Sequence, residues 1–154
     1  MNTSTLTALS IEPIAVVGGM VASGLADVTS DLAALDSSGW WAVILPFDGE
    51  PTCARFARRR PTVSLPRSAQ PWNGPALQSW TSSLSRAEFS QRVHDIRDSI
   101  AAGDVYQVNL TRQLSAPLPQ EASMLALGEQ LAAANPAPFS AVIELPALDL
   151  RIAS

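Results

Sequence analysis

Few residues in this chain have side chains suited to covalent or acid–base chemistry. All ten basic residues are arginine and none is lysine, so a Schiff-base lysine, a lysine nucleophile and a P-loop lysine are absent from these 154 residues. There is one cysteine, Cys53, and one histidine, His94. A thiol nucleophile needs a base beside it, and nothing in the sequence brings these two together. Cys53 reads as a small buried hydrophobe. The run Arg58-Arg59-Arg60 could hold a phosphate or carboxylate, but a solvated strand end explains it as well. The distinctive pattern lies further on. From Val105 to Leu114 the residues alternate, with Tyr106, Val108, Leu110 and Leu114 on one side and Gln107, Asn109, Thr111 and Gln113 on the other. Arg112 breaks the apolar set. One expected strand face is therefore core, and the other is polar but uncharged. Such a face can orient a small ligand by hydrogen bonds and cannot take its proton.

The flanking elements are legible. Ser85 with Glu88 three residues later forms a capping box. Phe89, Val93, Ile96 and Ile100 recur at helical spacing, and Gly103 stops the helix. His94 lies off that stripe and is expected on the surface. Glu121 to Ala134 reads as a second helix, ended by Asn135-Pro136-Ala137-Pro138. Phe139 to Leu145 and Leu148 to Ala153 read as two strands with Pro146 at the turn. The chain stops inside the second of these, where a strand's partners are expected to be missing.

Earlier in the chain, Ile14 to Ala26 is apolar and interrupted by Gly18, Gly19 and Gly24. It is too short for a membrane helix and lacks the basic front of a signal peptide. It reads as a buried strand and turn in a cytoplasmic protein. Trp40 to Phe47 has the pattern of a strand buried on both faces. Asp48-Gly49 turns it into a second run, Thr52 to Arg59, giving a hairpin with one strand nearer the surface. Composition thus divides the chain into a strand-rich region over 1–60, a proline-rich connector over 61–84 and a third region over 85–154. Trp72 and Trp80 imply that the connector packs against something. Net charge is −4, which disfavours nucleic acid and anionic membranes as partners. The size and the 47% hydrophobic composition fit one globular domain with a modest core.

The segment Phe89 to Leu114, with its core GDVYQVNLTRQL, resembles the helix-then-strand signature of chorismate-utilising enzymes. These include the aminodeoxychorismate synthase component I, anthranilate synthase component I and isochorismate synthase types. Asn135 to Ala141, NPAPFSA, resembles a second block of that family. The strand ending at Ser154 resembles the approach to a third, a serine-proline-glutamate block. The resemblance implies an α/β (α+β) fold of antiparallel sheets with outer helices, of which this chain is the N-terminal, incomplete part. It implies chorismate as substrate, a magnesium ion whose ligands lie downstream, and a glutamine amidotransferase subunit that supplies ammonia. The chain alone is then expected to bind chorismate poorly and not to turn it over. Conversion of chorismate by the purified 154-residue chain with ammonia and magnesium would disprove that.

By the same resemblance, Gln107 stands where water-using isochorismate and salicylate synthases share a lysine that deprotonates water. Water needs a base with a pKa near neutral; ammonia already has a free lone pair. A glutamine here favours the ammonia-using branch, with Tyr106 and Asn109 as neighbouring ligand contacts. In several family members the second block lines a buried tryptophan pocket, which offers Asn135, Pro136 and Phe139 as ligand contacts. The serine-containing motif that completes such pockets is not evident in this sequence. The first reading is amination at ring position 4, as in aminodeoxychorismate synthase component I of p-aminobenzoate and folate biosynthesis. It rests on the style of the first sixty residues and on Phe139-Ser140-Ala141. The alternatives are anthranilate synthase component I, of tryptophan biosynthesis, and a non-catalytic truncated module that docks the glutaminase.

Overall fold

The computed structural model describes residues 12–154. Residues 12–72 form one compact unit together with Glu121–Ser154, and Asn73–Gln120 forms a second. Composition follows local sequence, whereas these units follow strand pairing. Residues 121–154 share a unit with residues 12–60.

The first unit is a six-stranded antiparallel sheet in the order β3-β4-β2-β1-β7-β8. Its strands are β1 (Ile14–Val17), β2 (Met20–Thr29), β3 (Trp40–Ile44), β4 (Thr52–Pro61), β7 (Ala141–Leu145) and β8 (Leu150–Ala153). The expected hairpin of β3 and β4 is present, and the two strands around Pro146 pair as well; Ile14 to Ala26, expected as one strand and a turn, is instead a β1–β2 hairpin. Gly18 and Gly19, both at positive φ, make the two-residue turn that pairs Val17 with Met20. Such a turn needs two left-handed residues, which glycine supplies without strain. The long-range pairing of β1 with β7, Val17 opposite Ala141 through Ile14 opposite Glu144, joins the hairpins into one sheet.

Side chains alternate across this sheet. Ala15, Ala22, Ala42, Ala54, Phe56, Ile143 and Leu145 form one buried cluster, joined by Trp40, Ile44, Leu150 and Ile152. Edge strands β3 and β8 both contribute, so the sheet curls until its two edges share a core. Alanines at the centre of the concave face leave room for that curvature. A register shift in β2 between Leu25 and Asp27 adds local twist. On the other face, Val16, Val21 and Val142 pack against Met124 of α2 (Met124–Ala134), with Leu65 and Trp72 beside them. The expected burial of β3 on both faces is not observed. As an edge strand it hides Ala42 and leaves Val43 38% exposed. The strand nearer the surface is thus the tryptophan strand, and Cys53 of β4 is fully buried. Arg58, Arg59 and Arg60 are exposed at the far end of β4.

The second unit contains α1 (Arg86–Ala102) and a two-residue ladder between β5 (Thr81–Ser82) and β6 (Leu114–Ser115). Both halves of the capping box form. Ser85 Oγ accepts from Glu88 N at 3.2 Å, and Glu88 Oε2 accepts from Ser85 N at 2.8 Å. Gly103 closes the helix in the left-handed conformation at φ 83°. No residue of α1 is buried. Phe89 and Ile96 are half-covered, while Val93, Ile100 and His94 are exposed. The Ser85 backbone N–H, then the Ser85 hydroxyl and a smaller attraction from Arg92, hold Glu88 below the usual carboxylate range. A carboxylate depressed in this way supports the helix above its unfolded value, and the support is lost as pH falls through the lowered folded value. Far-UV circular dichroism should therefore show α1 loosening on the acid side. In Glu88→Gln that acid step should vanish, because the amide keeps the box without titrating.

One expectation fails in this unit. The strand predicted from Val105 to Leu114 is irregular chain, bent at Tyr106, with no ladder until Leu114. A strand needs a partner, and the one that this unit supplies, β5, is two residues long. Tyr106, placed by alternation on a core face, is 96% exposed, and Val108 and Leu114 are exposed as well. Trp80 of the connector is 45% exposed, while Trp72 packs on the sheet of the first unit.

Candidate functional site

The residues singled out from the sequence fall at two loci. The first is the irregular segment after α1. Its C-terminal end is tied to Ser83: Ser83 N donates to Gln113 O at 2.9 Å, and Gln113 N donates to Ser83 Oγ at 2.9 Å. Before this tie, Tyr106, Gln107 and Asn109 are exposed, and Gln107 Nε2 donates to Asn109 Oδ1 at 3.4 Å. The two amides are thus neighbours on accessible backbone, with donor and acceptor capacity left over.

The second locus is the turn between α2 and β7. Asn135 N donates to Leu131 O at 2.7 Å and ends α2, because Pro136 cannot continue it. Asn135 and Pro136 are exposed, and Phe139 is 93% exposed. None of the three lines either cavity of the first unit. One cavity, apolar and about 320 Å³, opens beside Trp40 to Leu45 with Val17, Ala141, Ile143 and Ile152.

The other cavity, about 300 Å³, was not anticipated from the sequence. Its floor holds Glu144, 2% exposed, and Ser123, 8% exposed. Glu144 Oε1 accepts from Met124 N and from Leu125 N, the latter at 3.1 Å. Ser123 Oγ caps the same helix, accepting from Ala126 N at 3.2 Å, which is why α2 begins at Met124 and not at Glu121. Ser68 is pinned against this end by a shared hydrogen with Ser123 Oγ at 3.3 Å, and its N donates to Glu129 Oε2 at 2.9 Å. The signal in the sequence was a single acid in an otherwise apolar run, Ala141-Val142-Ile143-Glu144-Leu145. An unpaired buried carboxylate is costly, so such a residue must find donors.

Both sequence blocks lie inside residues 29–154, and that range matches the model of a family described as chorismate binding enzyme. The chain belongs to the chorismate-binding enzyme family. It is 45% identical over 62 residues to anthranilate synthase component 1 of Streptomyces coelicolor (strain ATCC BAA-471 / A3(2) / M145), a match covering 40% of this chain and 12% of that protein. It is 38% identical over 76 residues to anthranilate synthase component 1 1 of Haloarcula marismortui (strain ATCC 43049 / DSM 3752 / JCM 8966 / VKM B-1809), covering 47% of this chain and 14% of that protein. The chain thus matches only about an eighth of the length of these relatives. No solved structure matches. The family membership accords with the α+β fold, an antiparallel sheet with helices, seen in this chain. Among the described residues, no group of three His, Cys, Asp or Glu side chains is placed to hold a metal ion. Among them no helix is long and apolar enough to cross a membrane.

Proposed function

We propose that this chain is part of an enzyme that aminates chorismate with ammonia. The observation that carries the reading is Gln107 within GDVYQVNLTRQL, where family members that use water resemble one another in carrying lysine. Ammonia arrives with its lone pair free, so the step needs a group that orients the nucleophile rather than a base. The Gln107 amide does that through its oxygen, which accepts from N–H, and Asn109 beside it steadies the amide. Tyr106 is proposed as a further contact to the ligand. Asn135, Pro136 and Phe139 are kept as contacts of the second block. Ammonia would come from a glutamine amidotransferase subunit. The magnesium ion would take its ligands from outside the described residues.

The relatives change the order of the two regiochemical readings. The sequence put amination at ring position 4 first, from Phe139-Ser140-Ala141 and the style of the first sixty residues. The relatives carry the name anthranilate synthase component 1, which supports amination at position 2. We take position 2 as the leading reading and position 4, the aminodeoxychorismate synthase type, as the second. The whole enzyme, given chorismate, magnesium and an ammonium salt, should yield a directly fluorescent product, anthranilate. Conversion without fluorescence would favour position 4. In the same enzyme, Gln107→Lys should lower amination by roughly 100-fold, since it puts a cation where ammonia must be held. Unchanged amination in Gln107→Lys would remove Gln107 from the mechanism.

A further inference from the structure

We propose that Asn73–Gly74 is a self-modification site, where the asparagine closes onto the backbone and reopens as isoaspartate. In the closing step the Gly74 backbone nitrogen attacks Asn73 Cγ. An N–Cγ bond forms, the Cγ–Nδ2 bond breaks, and Nδ2 leaves as ammonia carrying the Gly74 N–H proton. Water then opens the cyclic imide. Addition at Cγ restores the ordinary peptide bond and gives aspartate. Addition at the Asn73 backbone carbonyl carbon leaves the chain running through Cβ and Cγ, an isoaspartate. Water is the only co-reactant, and a neutral side chain becomes a carboxylate.

The sequence singles out this position among four asparagines. Asn2 lies outside the described residues. Asn135 precedes Pro136, whose nitrogen has no hydrogen to give up, so the same closure is blocked. Asn109 precedes Leu110, whose side chain crowds the attacking nitrogen, and Asn109 Oδ1 accepts from Gln107 Nε2 at 3.4 Å. Asn73 precedes glycine, which has no Cβ to obstruct the approach.

The local structure leaves the step open. Residues 71–76 belong to no helix or strand, Asn73 is exposed and Gly74 is half-buried. Pro71 and Pro75 keep this stretch out of regular structure, since neither nitrogen can join a ladder or a helix. Hydrogen bonds stop at Gln70, whose N and O both meet Ser68 Oγ. They resume at Ala76 O, which accepts from Ser79 N at 3.0 Å. Among the described residues none engages the Asn73 amide or the Gly74 N–H. Closure requires Asn73 ψ to turn until Gly74 N faces Cγ, and a pinned peptide would resist that turn. Pro75 restricts Gly74 but leaves Asn73 ψ free. Nucleophile and carbonyl are then neighbours within one chain, which removes the entropic cost of bringing them together.

The 154-residue chain tests this when aged in mildly alkaline buffer and mapped by peptide mass spectrometry. Methylation by an isoaspartyl methyltransferase with S-adenosylmethionine counts the isoaspartate. Deamidation at Asn73 should run at least about ten-fold faster than at Asn109, a barrier difference of about 1.4 kcal/mol. The native rate at Asn73 should lie within about ten-fold of the rate in urea-unfolded chain, because no native hydrogen bond must first be opened. Asn73→Gln, which can close only a larger ring, should lose the methyl label from this peptide. Gly74→Val, which puts a branched side chain beside the attacking nitrogen, should slow deamidation by roughly ten-fold or more. The proposal is overturned if the native fold slows Asn73 by about 100-fold or more relative to unfolded chain. It is equally overturned if Asn109 reacts as fast as Asn73, or if Gly74→Val deamidates like the parent chain.

Discussion

Replacing Glu144 with alanine is expected to destabilise the first unit by about 3 kcal/mol, read from urea unfolding followed by circular dichroism. The size follows from what the side chain holds. Its carboxylate is buried and takes the first two N–H groups of α2, Met124 N and Leu125 N. Hydrogen bonds to a charged acceptor contribute more than neutral ones, and removing the acceptor leaves both donors orphaned in a buried place. The same residue joins β7 to α2, so the loss should spread from the helix start to the sheet. Glu144→Gln keeps one acceptor oxygen and should lose markedly less than Glu144→Ala. Hydrogen exchange at Met124 and Leu125 should accelerate in the alanine variant before the rest of the unit responds. A change in stability under about 1 kcal/mol in Glu144→Ala would show that the helix start finds other acceptors.

Gly128→Ala should also destabilise, although alanine favours a helix over glycine by about 1 kcal/mol. A Cβ built on Gly128 would lie 2.5 Å from Val142 Cγ2 and 3.2 Å from Leu65 Cδ1. Val142 is buried under α2, and a β-branched side chain has little rotamer freedom with which to yield. The helix must then lift off β7. The net cost should be about 1–3 kcal/mol, despite the propensity gain. Val142→Ala in the Gly128→Ala background should restore most of that loss, with a coupling energy of about 1–2 kcal/mol between the two sites. If Gly128→Ala proved as stable as the parent chain, α2 would not approach β7 as closely as described.

Local signals in the sequence were reliable where one short stretch decides the outcome. The capping box at Ser85 and Glu88, the stop at Gly103, and the turns after Ile14, at Asp48-Gly49 and at Pro146 depend on a few neighbouring residues. What depends on distant partners was not legible. Alternation in Trp40 to Phe47 could not reveal that β3 is an edge, because the pairing of β1 with β7 sets the strand order. Alternation from Tyr106 to Gln113 likewise fits a strand face or an exposed irregular chain, and only a ladder partner separates the two. Gln107 and Asn109 were singled out because amides recur at alternate positions within a recognisable block. Glu144 was missed because its role is defined by a helix start twenty residues away in sequence. Its one trace was an acid where the strand pattern asks for a hydrophobe.

The most direct test of chorismate amination is to supply the whole enzyme with chorismate, magnesium, ¹⁵N-labelled ammonium and ¹⁸O-labelled water, then weigh the aromatic or amino-cyclohexadiene product. The account predicts ¹⁵N bonded to the ring carbon and no ¹⁸O gained there. A product carrying ¹⁸O on the ring and no ¹⁵N would mean that water is the nucleophile and that Gln107 does not mark an amine-adding enzyme.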